Sequence, residues 1–299
     1  MQGGRRAMLL GTGLMMPCSC AACAEEAEAA SARSRSFLAR QYDKAQAAAL
    51  SDGMADYERG VAPMKRRLFG GLAGSPRENL SIVELGIGSA PNLQYFAPMR
   101  RGKGDLITGI DSNAEILDRA RDTIASLRLL EQAEEGQLEQ PMRVNLVVGD
   151  AERTGLPDSF ADAVIATLVL CSVESQDAVL REIRRILKPG GKFYFVEHVA
   201  AGAGTPLRLA QDILNPLQRV VAGGCNLNRD TASAISRAFA DGDITQYRWD
   251  LLPGKILFDN GFALSAPESS GASLISPHIS GEATAGECIL TRCPPRVTI

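Results

Sequence analysis

Ser81-Ile82-Val83-Glu84-Leu85-Gly86-Ile87-Gly88-Ser89-Ala90-Pro91-Asn92 decides how this chain folds. A short β-rich run enters a turn built on two glycines, and a proline stands where a helix would begin. Glycines at 86 and 88 let the backbone turn tightly and approach a ligand with no Cβ in the way, while Ser89 can cap the next helix. A dinucleotide-binding G-x-G-x-x-G would want glycine or alanine at the position of Pro91, with free helix-terminal N–H groups for a pyrophosphate. Glu84, just before the first glycine, would repel phosphate and suits a cationic or polyhydroxylated ligand. A nucleotide-dependent oxidoreductase is therefore disfavoured; a tight β-to-α turn with no ligand is the plain alternative.

Outward from this turn, strands alternate with helices. Asp105–Asp111, Asn145–Val148, Asp162–Ala166 and Lys192–Val196 read as strands two to five. Glu115–Leu129 carries Ile116, Ala120, Ile124 and Leu127 on one stripe, and Asp177–Leu187 does the same with Val179, Ile183 and Ile186 before Lys188-Pro189-Gly190-Gly191 stops it. Phe37–Leu72 reads as helical with breaks at Gly53 and at Gly60–Pro63. Past Asn226 the pattern predicts a helix over Thr231–Phe239, strands near Ile244–Leu252 and Cys288–Thr291, and loop with weak strand content over Ala263–Ser280. The alternation predicts an α/β fold: a Rossmann-like, doubly wound, mainly parallel sheet, with an N-terminal helical extension. Ligands of such sheets bind at the carboxyl ends of the strands.

At 299 residues the chain can build its own core. Its 32 basic and 35 acidic residues give a net charge of −3, which argues against a nucleic-acid partner. Lys65-Arg66-Arg67 reads as a solvated helix face, and Glu131–Glu139 as a solvated insertion. Seven cysteines in a chain of this length are too few for a disulfide scaffold, and structural zinc is not expected.

Two further carboxylates fall at strand ends. Asp111 closes the second strand, where an acid can accept both hydroxyls of a ribose, or else cap the helix near Asn113. Asp150 follows the third strand, as a ligand group or as a turn residue beside Gly149. With Glu84 they describe a site for a nucleoside carrying positive charge.

These residues, with Thr167-Leu168-Val169-Leu170-Cys171-Ser172-Val173, the run from Arg184 to Gly191, Glu197-His198-Val199 and Pro277-His278-Ile279, resemble a known family. From about Tyr57 to Glu282 the chain is similar to the class I S-adenosylmethionine (SAM)-dependent methyltransferases of type 11, in the methyltransferase-like protein 7, or thiol S-methyltransferase, branch. The resemblance implies the seven-stranded sheet of that family and SAM as donor. It implies that Glu84, Gly86 and Gly88 line the donor's methionine part, that Asp111 takes the ribose, that Asp150 and Ala151 flank the adenine, and that Thr167 joins this donor site. It implies a small acceptor, thiol first, with quinones, lipids or phenols behind. One departure stands out: the family's turn usually ends in glycine where this chain has Ala90, whose methyl would weaken the donor site if that position needs positive φ. A binding module without catalysis is the reading that this departure keeps open.

Methyl transfer from a sulfonium is an in-line displacement and needs no metal, so none is expected. Leu168–Val173 is apolar, with one thiol and one hydroxyl, and would wall the acceptor side. Glu197 and His198 are the catalytic candidates, with His198 a general base, an acceptor-site hydrogen bonder, or a packed histidine. His278 reaches the site only if its loop folds over it, and Cys171 reads as a small buried apolar residue with nothing basic beside it in sequence.

The first 24 residues differ from the rest. Arg5 and Arg6, an uncharged run from Ala7 to Ala24, and Ala22-Cys23-Ala24 before an acidic stretch outline a removable targeting leader, or else a short anchor. The expected organisation is leader 1–24, helical extension 25–75 and methyltransferase domain 76–299. The expected location is organellar, chloroplast or thylakoid before endomembrane, with peripheral membrane association.

Overall fold

The computed structural model describes residues 37–52, 54–100, 102–134, 143–252, 255–258, 263–265 and 277–286. The leader and the strand expected at Cys288–Thr291 lie outside these residues. None of the described helices is long and apolar enough to cross a membrane.

Two helices lead into the sheet, α1 (Phe37–Asp52) and α2 (Ala55–Ala73). Gly53, where one break is expected, lies outside the described residues; the break expected at Gly60–Pro63 is absent, and α2 runs through both residues. Its face of Tyr57, Val61, Met64, Phe69 and Leu72 is buried, and tertiary packing of that stripe outweighs the local cost of glycine and proline. Lys65 also departs from expectation. It is fully buried, with Nζ 2.8 Å from both oxygens of Glu58, so only Arg66 and Arg67 of the basic run face outward.

The sheet is formed by β1 (Ser81–Leu85), β2 (Leu106–Asp111), β3 (Arg143–Val148), β4 (Ala161–Thr167), β5 (Leu187–His198), β6 (Ile244–Leu252), β7 (Lys255–Phe258), β8 (Ala263–Ser265) and β9 (His278–Thr284). Their order is β3-β2-β1-β4-β5-β9-β6-β7-β8. The first seven make the expected sheet, in which β3, β2, β1, β4 and β5 are parallel and β9 runs against both β5 and β6. Two short strands, β7 and β8, extend its far edge. The return strand β9 overlaps only the end, His278–Ser280, of the segment expected to be loop with weak strand content. His-Ile-Ser-Gly-Glu-Ala-Thr has little β character of its own; pairing with a strand on each side is what orders it.

Helices α3 (Ala114–Glu134), α4 (Gln176–Ile186), α5 (Pro206–Val221) and α6 (Thr231–Ala238) complete the fold. On α4, Val179, Leu180, Ile183 and Ile186 are buried against the sheet, each worth about 1.5–3 kcal/mol relative to exposure. Ser175 caps this helix through its hydroxyl, which accepts from Ala178 N–H at 3.2 Å. Gly190, at φ 72°, lies within β5, in the irregular stretch between its pairings at Leu187 and Lys192. The acidic stretch expected as an insertion begins on the last turn of α3, and its remainder lies outside the described residues. The order β2-β1-β4 puts the change of direction between β1 and β4, beside the glycine turn.

Candidate active site

The turn after β1 is left-handed at three positions: Gly86 (φ 60°), Gly88 (φ 57°) and Ala90 (φ 63°). A Cβ on Gly86 would stand 2.5 Å from Val169 Cγ2, so the loop after β4 can lie on this turn only because residue 86 is glycine. Ala90 meets the condition raised by its sequence: the position does require positive φ. An L-residue there costs roughly 1–2 kcal/mol, opposed by the complete burial of its methyl among Ile87, Leu93 and Phe96.

Beneath the turn, Glu84 is buried, and its Oε1 accepts from Asn92 Nδ2 at 2.8 Å. The same amide donates to Thr167 Oγ1 at 3.0 Å, joining the ends of β1 and β4. Glu84 Oε2 and Asn92 Oδ1 are buried acceptors with no hydrogen-bond partner among the described residues. Burial pushes the Glu84 carboxyl up to about 7, against the Asn92 hydrogen bond and the field of Lys65. Asn92 was not among the site residues expected from sequence; its place at the start of the segment following the turn was the available clue.

Asp111 ends β2 with its carboxylate tied to backbone. Oδ2 accepts from Gly88 N–H at 3.0 Å and Oδ1 from Asn113 N–H at 2.9 Å. Burial raises its pKa, opposed by these N–H groups. Asn113 rather than Asp111 stands at the head of α3, its Oδ1 accepting from Glu115 N–H, while its amide donates to Asp43 O on α1 at 3.0 Å. Asp150 follows β3 and is exposed, accepting from Glu152 N–H at 2.8 Å in a turn; Ala151 is partly buried against the core. Glu84, Asp111 and Asp150 thus fall near the carboxyl ends of three neighbouring strands.

On the other side of β1, Glu197 is completely buried and its carboxylate is spent on backbone. Oε1 accepts from Val169 and Leu170 N–H at 2.8 and 2.9 Å, and Oε2 from Cys171 N–H at 3.3 Å. These bonds hold a loop that starts at Leu168, itself left-handed at φ 56°. Burial lifts the Glu197 carboxyl to about 7 in spite of the three donors. In this geometry both oxygens of Glu197 accept from the loop's backbone.

His198 ends β5, buried, with Nε2 2.9 Å from Cys225 Sγ and Nδ1 without a partner among the described residues. Its register partner on β9 is His278, at 6.3 Å between ring centroids in an edge-on pair. His278 is therefore a buried strand residue, not part of a loop folding over the site. It packs on Tyr57 of α2 at 5.6 Å, and burial drives its pKa well down. Cys171 is buried as expected, but it is not remote from basic groups: its sulfur, Cys225 Sγ and a His198 ring nitrogen lie within 4.8 Å of one another. The Cys225 thiol is pulled down by hydrogen bonding from Cys171 and then from His198, while that of Cys171 is pushed up.

Helix α5 braces this side. Gln211 Oε1 accepts from Ala201 N–H at 2.7 Å, and Asn215 Oδ1 from Leu227 N–H at 2.7 Å. Its outer face is apolar and exposed: Leu209, Ile213, Leu217, Val220 and Val221 are all more than 60% accessible.

Comparison with known proteins gives a consistent result. A family described as a methyltransferase domain matches residues 83–195. Human thiol S-methyltransferase TMT1A is 37% identical over 185 residues, 61% of this chain and 69% of its own length. Rat thiol S-methyltransferase TMT1B is 33% identical over 223 residues, 73% of this chain and 77% of its own. A ubiquinone/menaquinone biosynthesis C-methyltransferase from Caulobacter is 32% identical over 123 residues, 41% of this chain and 46% of its own. Among solved structures, a chain from a complex of the Haloferax volcanii Trm112 methyltransferase activator superposes with TM-score 0.53 at 19% identity, covering 82% of this chain and 98% of that one. The Bacillus subtilis YcgJ protein gives 0.51 at 17% identity, covering 75% and 99%. The cofactor of this family, SAM, is a cation, and the two orphaned acceptors on Glu84 and Asn92 fit it.

Proposed function

This chain belongs to the thiol S-methyltransferase branch of the class I SAM-dependent methyltransferases, and from that premise we propose that it methylates the sulfur of a small apolar thiol. The observation that carries the reading is the commitment of Glu197. With both its oxygens on backbone, the described acceptor side presents Val169, Leu170 and Cys171 and no spare carboxylate base. A thiol suits such a wall because it ionises near pH 8.5 unaided, whereas a phenol or an alcohol needs its proton taken. The relatives named thiol S-methyltransferases, at 33–37% identity, support the same acceptor class.

When bound, SAM supplies an electrophilic methyl on a sulfonium. The chain's own work is to hold and to exclude. Glu84 Oε2 and Asn92 Oδ1 take the cationic methionine end; Asp111, already fixed by Gly88 and Asn113, accepts the ribose hydroxyls; Asp150 and Ala151 flank the base. Thr167 fixes the Asn92 amide, and the Gly86–Gly88 backbone leaves the room. Positioning of this kind supplies about 7–11 kcal/mol of a displacement barrier. A dry, apolar acceptor wall favours the cancellation of thiolate and sulfonium charge.

The apolar outer face of α5 supports peripheral membrane association and an acceptor drawn from the lipid phase. An organellar membrane, chloroplast or thylakoid before endomembrane, is the compartment proposed; imaging a C-terminal fusion with and without residues 1–24 tests it. The acceptor is tested by a labelled-methyl assay of the full chain against matched thiols, phenols and quinones. Thiols giving product at least tenfold faster is the expected result, and product from phenols or quinones alone would refute the reading.

A further inference from the structure

Three buried side chains from distant parts of the chain meet beside the acceptor wall. Cys171 comes from the loop after β4, His198 from the end of β5, and Cys225 from the turn after α5, and their ligand atoms all lie within 4.8 Å of one another. Two sulfurs and an imidazole nitrogen at this spacing are a donor set for a thiophilic cation. A tetrahedral zinc with Zn–S near 2.3 Å and Zn–N near 2.0 Å wants its donors about 3.5–3.8 Å apart. The cluster is held in advance: Cys171 O accepts from both the backbone and the side-chain amide of Asn226, at 2.8 and 2.9 Å, and Cys171 N–H is fixed on Glu197. His198 Nε2 would have to part from Cys225 Sγ by well under an ångström to admit the ion.

We propose that Cys171, His198 and Cys225 form a binding site for a zinc-class divalent cation. Binding releases one proton from each thiol, so two thiolates and a neutral imidazole around the ion make a centre of zero net charge. That balance is what a buried position requires. Three protein donors are the number found where zinc keeps an exchangeable fourth position, with Cys2His among the known sets. The fourth position takes the acceptor as its thiolate, its proton leaving to solvent and the oxidation state of the metal unchanged, and the single negative charge this adds is balanced by the sulfonium of the donor. This last step rests on the thiol reading above. It gives a thiol its charge without any protein base, which matches the absence of a spare carboxylate at Glu197.

The test uses Co2+ as the probe on the full-length chain in which Cys18, Cys20, Cys23, Cys288 and Cys293 are replaced by serine, leaving only the two cysteines of the cluster. The expected result is one Co2+ per chain, with a sulfur-to-cobalt charge-transfer band and the intense visible bands of a tetrahedral site. Both are displaced by Zn2+ and both are lost in Cys171→Ser/Cys225→Ser. X-ray absorption of the zinc-loaded wild-type chain, expected to show two sulfurs and one nitrogen, keeps the test sound if that double variant fails to fold. No cobalt bands, or bands that need the other five cysteines, would overturn the site. Adding a small aliphatic thiol should shift the visible bands. Bands that ignore the thiol would overturn the acceptor step while the metal site stands, and a labelled-methyl assay that still finds thiol product would then leave the thiol reading intact.

Discussion

Glu84 and Asn92 meet at 2.8 Å under the glycine turn, and each is left with one buried oxygen that nothing in the described fold satisfies. A structural pair would have no reason to keep two unpaired acceptors, since each costs about 1–3 kcal/mol. Glu84→Gln should therefore weaken binding of S-adenosylhomocysteine by roughly tenfold to a hundredfold, about 1.5–3 kcal/mol, while the ligand-free protein melts no lower at pH 8. Calorimetry together with thermal unfolding checks both halves. An unchanged affinity would remove Glu84 from the donor site.

The pH dependence has a definite sign. Glu84 and Glu197 are both raised from 4.5 to about 7, so the folded state holds protons that the unfolded state has released between those values. The stability of the ligand-free protein is then greatest below pH 4.5, as far as these two groups set it, and falls as pH rises from there towards about 7. Donor affinity runs the opposite way, because a cation needs Glu84 ionised. It should rise from pH 6 to pH 8, and Glu84→Gln should flatten it. A donor affinity that is level across this range in the wild type would contradict the assignment.

Asp111 serves two purposes at once, and its removal should show both. Asp111→Ala frees the N–H groups of Gly88 and Asn113 and takes away the ribose acceptor. A loss of about 1.5–3 kcal/mol in donor affinity, with a smaller drop in melting temperature, is expected by calorimetry and thermal unfolding. Full donor affinity in the folded variant would exclude Asp111 from the site.

Glu197 separates a loop clamp from a general base. A base replaced by glutamine loses roughly 100- to 10,000-fold in turnover. A clamp keeps one carbonyl oxygen for Val169 and Leu170 in Glu197→Gln and should lose no more than about tenfold, with the pH profile unmoved, while Glu197→Ala loses the loop and about 2–4 kcal/mol of stability. Steady-state rates across pH for the two variants distinguish the cases.

On α5, Ile213 and Leu217 lie on the exposed apolar stripe. Ile213→Glu/Leu217→Glu should abolish co-sedimentation with lipid vesicles and leave turnover on a water-soluble thiol within about twofold. Equal vesicle binding by the variant would show that this face does not touch lipid.

Much of this could be read from the chain because β1 to β5 carry their own pattern: apolar runs ending in glycine or acid, separated by striped helices. Glu84, Asp111 and Asp150 were placed at strand ends by that pattern alone. Where the sequence misled, a tertiary contact had overruled a local preference. Lys65 looks solvated until Glu58 closes on it, and Pro63 looks like a break until the face around it is buried. β9 is too polar to declare itself without the strands on either side. Helix α5 was not anticipated, although Thr205-Pro206 followed by Leu209, Ile213 and Leu217 is a capped helix with a stripe. Cys171, His198 and Cys225 are separated by 27 residues at each step, and only the fold can bring them together.

The most direct measurement offers the full-length chain, with SAM carrying a labelled methyl, one small acceptor that bears both a thiol and a phenol, and locates the label in the product by mass spectrometry. Label on sulfur alone is the predicted result. Label on the phenol oxygen, or donor bound with neither group methylated, would contradict the account.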